Sequence, residues 1–192
     1  MAAPAAQPSL FGDPTLPGGL VYRAGFLSQA EEAALADEVA QLPFQAFEFH
    51  GFLGNRRTVS FGWRYAFDGS GLHEAEPMPD FLLPLRDRAA AFAGLEPDLF
   101  AHVLVTEYAP GAGIGWHKDR SVFDQVVGVS LLAPARLRFR RKKEAGWERF
   151  SLEAAAGSAY LLTGEIRSEW EHSIPAMEAL RYSITFRTLR AA

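Results

Sequence analysis

A segment near the C-terminus alternates between polar and apolar residues and reads Arg181-Tyr182-Ser183-Ile184-Thr185-Phe186-Arg187. A period of two is typical of a β-strand that buries one face. The apolar residues Tyr182, Ile184 and Phe186 therefore predict the core side of a sheet. The other side carries two arginines, whose Cα atoms lie about 20 Å apart in an extended chain. Because the apolar side belongs to the core, this arginine face either meets solvent or lines a cavity.

Short runs with the same period of two recur along the chain, separated by Gly, Pro or charged turns. The predicted strands cover 45–49, 57–67, 100–108, 125–132, 136–141, 147–152, 158–163 and 181–189. Many short strands of this kind indicate an antiparallel sandwich or barrel. Helices are predicted at 28–42, where Ser28 and Glu31 form a capping box, and at 81–93.

The composition is that of a compact globular chain. Of 192 residues 48% are hydrophobic and the net charge is −4, which excludes a disordered chain. We expect residues 1–18, rich in Pro and Ala, to form a flexible arm, and residues 19–192 to form a single domain. No apolar stretch reaches the roughly 20 residues that a membrane-spanning helix needs, and no leader pattern opens the chain. The sequence thus predicts a cytoplasmic monomer without membrane contact.

Candidate metal ligands are limited to His and carboxylate, because cysteine is absent. A Pro/Gly-rich turn leads to His117-Lys118-Asp119, and residues i and i+2 of an extended chain face the same way. Of the five histidines, His172 is the best third ligand, because it follows the apolar strand 158–163. Two His and one carboxylate that occupy one face of an octahedral metal site leave three coordination positions open, as in non-haem Fe(II) oxygenases. Taken alone, a His-x-Asp pair is more often a structural hydrogen bond than part of a metal site.

The arginine face of 181–187 has two interpretations. Two guanidinium groups reaching inward leave a gap that suits a short dicarboxylate, gripped at both ends by charge-assisted hydrogen bonds. The alternative is a strand face exposed to solvent.

With these motifs in this order, the sequence resembles the AlkB family of Fe(II)- and 2-oxoglutarate-dependent dioxygenases from about residue 19 onward. The resemblance implies a mainly β (α+β) fold with a double-stranded β-helix (jelly roll) core at about 100–190. N-terminal helices would pack on this core, and about 45–70 would form a nucleotide-recognition lid.

The same resemblance implies the cofactors and their ligands. Iron would be held by His117, Asp119 and His172. 2-Oxoglutarate would be held by Arg181, Arg187 and Tyr108, with Thr106 and Ser183 where family members often have Asn. O₂ would be the oxidant, and succinate and CO₂ would be products.

The substrate that the resemblance implies is an N-alkylated base in DNA or RNA, with single strands favoured, demethylated with release of formaldehyde. The lid combines basic and aromatic side chains suited to a flipped base and its phosphates. Its candidate substrate residues are Arg56, Arg57, Trp63 and Tyr65. Phe61, Trp63, Tyr65 and Phe67 would share one face of the strand 57–67, so packing in the core is the alternative for the aromatic residues.

The basic residues are concentrated in the C-terminal half. Residues 101–192 hold 13 basic and 10 acidic residues, against 6 and 13 in 1–100. The run 136–143, which includes Arg138, is a candidate phosphate surface, although its alternation with Leu137 and Phe139 also describes a solvated strand face. Ser121 stands two residues after Asp119, where DNA-repairing relatives often carry an acidic residue that contacts the base, so RNA stays an option.

Three functions are therefore weighed. The first is oxidative demethylation of nucleobases. The second keeps the chemistry but acts on a protein side chain or a small molecule. The third is a catalytically silent binding protein, for which an incomplete metal triad would be the usual sign.

Overall fold

The computed structural model describes residues 16–49, 52–66 and 71–190. The strands in this part are β1 (Leu20–Arg23), β2 (Gln45–Phe49), β3 (Phe52–Phe61), β4 (Trp63–Ala66), β5 (Gly71–Glu74), β6 (His102–Tyr108), β7 (Ile114–His117), β8 (Phe123–Leu132), β9 (Ala135–Lys143), β10 (Gly146–Ala154), β11 (Ala159–Leu162), β12 (Glu171–Ile174) and β13 (Arg181–Leu189). The helices are α1 (Gln29–Ala40), α2 (Leu83–Ala93) and α3 (Gly164–Ser168). Residues 1–15 of the predicted arm lie outside the described residues. None of the helices in the described part is long and apolar enough to cross a membrane.

Eleven of the described strands form two antiparallel sheets that face each other. The larger sheet has the order β1-β11-β8-β13-β6-β3-β2, and the smaller has the order β10-β9-β12-β7. Apolar side chains of both sheets meet in one cluster, with Val126 and Tyr160 from the larger sheet and Phe139 and Ile174 from the smaller. The predicted mainly β architecture with few helices is confirmed.

Both longer helices cover the outer face of the larger sheet. Val39 of α1 and Leu85 of α2 pack in a second cluster with Ile184 and Phe186 of β13. The apolar face of β13 therefore contacts the helices, and its arginine face lies between the sheets. At the start of α1, Ser28 and Glu31 form the predicted capping box.

The predicted strand 57–67 is wrong in one respect, because it is broken at Gly62. The backbone of Gly62 has φ 77°, and a Cβ there would collide with the carbonyl oxygen of Ala101. The chain turns at this point, so that β3 ends and β4 begins a separate two-stranded ribbon with β5. Phe61 is buried in the core, whereas Trp63 lies on the ribbon and is half-buried. The two rings therefore do not share one strand face, and Phe67 lies outside the described residues.

Candidate metal centre and cosubstrate pocket

Two neighbouring strands of the smaller sheet hold the histidines of the candidate metal centre. His117 at the end of β7 pairs with His172 of β12, and Ile114 pairs with Ile174. Between these pairs β7 has one residue more than β12, which is a β-bulge. The extra residue turns both Ile114 and His117 toward the space between the sheets, where Ile174 and Phe139 also pack.

Asp119 completes the cluster from the loop that follows β7. Its Oδ1 lies 3.9 Å from Nε2 of His117 and 3.9 Å from Nε2 of His172. The three possible ligand atoms all lie within 4.8 Å of one another. Nδ1 of His117 is 2.9 Å from the carbonyl oxygen of Gly115, so an Nδ1–H donates there and Nε2 keeps its lone pair. Two imidazole nitrogens and one carboxylate oxygen are a donor set that fits Fe(II).

The charges around this cluster keep its members in the forms that bind a metal. Burial raises the pKa of Asp119, but the electrostatic interactions with Arg187, His172 and His117 outweigh it and hold that pKa well below its usual range. Burial lowers the pKa of His172 to about 4, although Asp119 opposes this shift. At neutral pH the cluster therefore offers an ionised carboxylate and a neutral His172.

The first arginine of β13 is buried between the sheets and has unused donors. Arg181 is 0% exposed, and its Nε donates a 2.9 Å hydrogen bond to Oγ of Ser130. Among the described residues, its two terminal nitrogens have no partner. The guanidinium lies over the ring of Tyr108, 5.2 Å from the ring centroid. A buried guanidinium with two free nitrogens is costly unless an anion binds it, so this end of the pocket fits a carboxylate of 2-oxoglutarate.

The second arginine lies at the metal end of the same face. A terminal nitrogen of Arg187 is 3.8 Å from Oδ1 of Asp119, and its guanidinium lies 5.4 Å from the ring centroid of Phe123. Between the two arginines, Ser183 pairs with Thr106 on β6 and with Ser130 on β8. The face thus runs from a buried cation through hydroxyl groups to the metal ligands.

The comparisons with known proteins agree with this geometry. The model of the 2OG-Fe(II) oxygenase superfamily matches residues 19–187. The chain is 32% identical to the alpha-ketoglutarate-dependent dioxygenase alkB homolog 7, mitochondrial, of Bos taurus over 165 residues, which are 80% of this chain and 66% of that protein. It is 32% identical to the "Probable RNA/DNA demethylase ALKBH6" of Danio rerio over 111 residues, which are 58% of this chain and 45% of that protein. The solved structure of OsALKBH1 superimposes with a TM-score of 0.68 at 15% identity, covering 90% of this chain and 98% of that one.

This chain belongs to the 2OG-Fe(II) oxygenase superfamily. The resemblance to AlkB homologues is confirmed, and the structural match shows that they share the fold. The chain spans about half to two thirds of the length of these curated relatives. Fe(II) and 2-oxoglutarate are the metal and cosubstrate of the superfamily, and the triad of His117, Asp119 and His172 fits the metal.

The predicted substrate residues are scattered. Arg56 pairs with Tyr108 across β3 and β6, so it lies on the pocket side of the larger sheet. Arg57 lies on the opposite side, where its Nε and a terminal nitrogen donate to Glu107 at 2.6 and 2.7 Å. The side chain of Tyr65 lies outside the described part of the structure. The structure therefore separates the two neighbouring arginines and gives Arg57 a carboxylate partner.

The other two predicted substrate residues lie near the metal strands. Ser121 is exposed in the loop after Asp119. Arg138 is half-buried on the outer face of the smaller sheet, where its Nε donates to Oγ of Ser173 at 3.1 Å and its guanidinium lies over Trp116. Ser121 thus lies on the loop that carries Asp119, and Arg138 lies on the outer face of the sheet that carries the two histidines.

Three residues near the pocket were missed in the sequence. Ser130 interrupts an apolar strand, which is the usual sign of a polar partner on a buried face. Tyr160 lies over Gly128, where any Cβ would collide with its ring. Arg167 of α3 is buried beside the loop that carries Asp119, and nothing in its sequence context signals this position.

Proposed function

We propose that this protein uses Fe(II), 2-oxoglutarate and O₂ to demethylate N-alkylated bases in single-stranded DNA or RNA. The similarity to a relative whose name specifies an RNA/DNA demethylase supports the proposal. The observation that carries it is a stripe of alternating tryptophan and arginine side chains on the outer face of the smaller sheet, next to the metal strand β7.

This outer stripe is formed by Trp116, Arg138, Arg140 and Trp147. The guanidinium of Arg140 lies between two indoles, 4.4 Å from the ring centroid of Trp116 and 4.2 Å from that of Trp147. Trp116 immediately precedes the metal ligand His117. Alternating cations and aromatic rings are typical of surfaces that bind single-stranded nucleic acid.

Several cations on this face have no carboxylate partner. Arg140 pairs with Glu171 and Arg136 with Glu153. By contrast, no ion pair within the described residues involves three further cations on this face: Arg138, Lys142 and Arg149. These three charges are therefore available to phosphates, whereas the charges of the paired arginines are largely neutralised.

The chain's own residues then define what the pocket does. When bound, Fe(II) and 2-oxoglutarate supply the activation of O₂ that hydroxylates a C–H bond, with succinate and CO₂ as products. Arg181 and Arg187 bind and orient the dicarboxylate, and Tyr108 covers the Arg181 end. A methyl group on a ring nitrogen would gain a hydroxyl group. The C–N bond of the hydroxymethyl product then breaks, so that formaldehyde leaves and the nitrogen keeps the electron pair and takes a proton.

The decisive experiment measures formaldehyde and succinate from methylated DNA and RNA oligonucleotides, with Fe(II), ascorbate and 2-oxoglutarate, beside a His117→Ala variant. We expect formaldehyde that depends on the oligonucleotide and disappears in the variant. Succinate that no oligonucleotide increases, with no formaldehyde, would rule out the nucleic acid and leave the oxygenase chemistry intact.

A second candidate function is the same chemistry on a protein side chain or a small molecule. The carboxylate partners of Arg136, Arg140 and Lys143 favour it, because paired cations attract a polyanion weakly. The two functions differ in one test. Reversing the charge of Arg138 and Arg149 lowers turnover of an oligonucleotide and leaves turnover of a neutral small substrate unchanged. A binding protein without turnover is the third possibility, and the complete triad argues against it.

A further inference from the structure

A buried arginine on α3 holds the loop that carries the metal ligand Asp119. Arg167 is 6% exposed, although arginine is rarely buried without a carboxylate partner. Its side chain makes no ion pair within the described residues. Its terminal nitrogens donate to backbone carbonyl oxygens instead. One terminal nitrogen donates to the carbonyl oxygens of Arg120 and Phe123, both at 2.6 Å, and the other reaches that of Asp119 at 3.5 Å.

These contacts join three parts of the pocket. Asp119 stands at one end of the loop 119–123 and supplies a carboxylate to the metal cluster. Phe123 stands at the other end, and its ring lies beneath Arg187 and against His102. Arg167 itself lies five residues before His172 on the same short stretch of chain. One side chain therefore couples the segment of one metal ligand to the loop of another.

The chemistry of the guanidinium explains why arginine is used here. Carbonyl oxygens that turn inward without a donor cost free energy, and a planar group with several N–H donors satisfies more than one of them at once. The three donors of a lysine sit on one nitrogen atom, so they reach fewer of these carbonyl oxygens than the donors of a guanidinium, which are spread over a rigid plane. An apolar residue of similar length reaches none.

We propose that Arg167 is a positioning residue, which fixes the loop 119–123 so that the carboxylate of Asp119 and the ring beneath Arg187 are held in place before the metal and cosubstrate bind. Its role is independent of which substrate the oxygenase acts on.

The test is a titration of the full-length protein with Co(II) in the presence of 2-oxoglutarate, followed by visible absorption, with melting temperatures of the metal-free proteins. We expect Arg167→Met to weaken Co(II) binding by about tenfold or more, as residues behind metal ligands typically do. Arg167→Lys should lose less, because its ammonium group can still donate to some of these carbonyl oxygens. Hydrogen exchange should show faster exchange at 119–123 in both variants.

Two controls separate positioning from general destabilisation. Arg190 is an exposed arginine beside the same segment, and one of its terminal nitrogens lies 3.8 Å from Oδ1 of Asp124. Arg190→Met should leave Co(II) binding unchanged. Ile166→Ala removes a buried side chain of the same helix that faces the space between the sheets, and should lower the melting temperature without weakening Co(II) binding. Equal weakening by Ile166→Ala and Arg167→Met would overturn the proposal. If Arg167→Met does not fold, the Lys variant decides, and unchanged Co(II) binding by that variant would also overturn it.

Discussion

At the scale of single residues, Arg181 is the side chain whose surroundings most clearly require a ligand. Its two terminal nitrogens are buried and lack partners among the described residues, so a carboxylate that binds there forms charge-assisted hydrogen bonds. We expect Arg181→Met to raise the KM for 2-oxoglutarate by about tenfold to a hundredfold, the equivalent of one or two such bonds. Steady-state succinate formation at varied 2-oxoglutarate measures this change.

The matched variant for this prediction is Ser130→Ala. It removes only the hydroxyl group that accepts from Nε of Arg181 and leaves the terminal nitrogens free to bind. The KM should therefore rise less than in Arg181→Met. An unchanged KM in the methionine variant would show that the cosubstrate lies elsewhere.

Two buried histidines make the stability of the metal-free protein depend on pH. Burial lowers the pKa of His172 to about 4, and burial also lowers the pKa of His102 well below 6.5. In the unfolded chain both groups titrate near 6.5, so below that pH the unfolded state binds more protons than the folded state. The free energy of unfolding should fall as the pH drops from about 7 to about 4.5, by up to ~1.4 kcal/mol per pH unit for each histidine. Urea denaturation at several pH values measures the slope, and His102→Gln should reduce it. A slope that His102→Gln leaves unchanged would contradict the assignment.

At the scale of elements, the corner between β3 and β4 depends on Gly62. A side chain there meets two penalties, a φ of 77° and a collision with the carbonyl oxygen of Ala101. Gly71 on β5 provides the comparison, because its φ is 86° but a Cβ there meets no atom within 4 Å. Gly71→Ala should cost about 1 kcal/mol, the price of the backbone conformation alone, and Gly62→Ala clearly more. Urea unfolding curves of the two variants give the difference, and equal costs would show that the corner yields without strain.

Elements were predictable where a single period of two or a cap dominates the sequence. The capping box at Ser28 placed α1, and the alternation of 181–187 assigned Tyr182, Ile184 and Phe186 of β13 to the core, while it left open whether the arginine face meets solvent or lines a cavity. By contrast, β7 and β12 are 4 residues long and β7 contains a bulge, so neither shows alternation. The triad of His117, Asp119 and His172 was nevertheless predicted, because residue chemistry and the resemblance placed it. The contacts of Arg167 depend on tertiary structure and have no local signal.

At the scale of the whole molecule, the net charge is negative, but positive charge is concentrated on one face of the smaller sheet. The chain as a whole carries −4, yet the outer face of the smaller sheet has three cations without carboxylate partners in the part that the structure describes, namely Arg138, Lys142 and Arg149. A net negative protein that binds a polyanion needs such a local concentration of positive charge. The stripe of tryptophan and arginine places this concentration on the outer face of the smaller sheet, where Trp116 belongs to the same strand as His117.

This arrangement predicts how salt should weaken binding of a single strand. If the three cations without carboxylate partners each contact a phosphate, the logarithm of the association constant should fall with the logarithm of the salt concentration with a slope of about −2, because each contact contributes about −0.7. Fluorescence anisotropy of a labelled single-stranded oligonucleotide at increasing NaCl measures the slope. Lys142→Gln and Arg149→Gln should each make it shallower by about 0.7, whereas Arg136→Gln, which removes a cation already paired with Glu153, should change it little. A slope near zero would show that no phosphate is contacted and would favour a neutral substrate. A slope that neither Lys142→Gln nor Arg149→Gln alters would place the nucleic acid on a different surface.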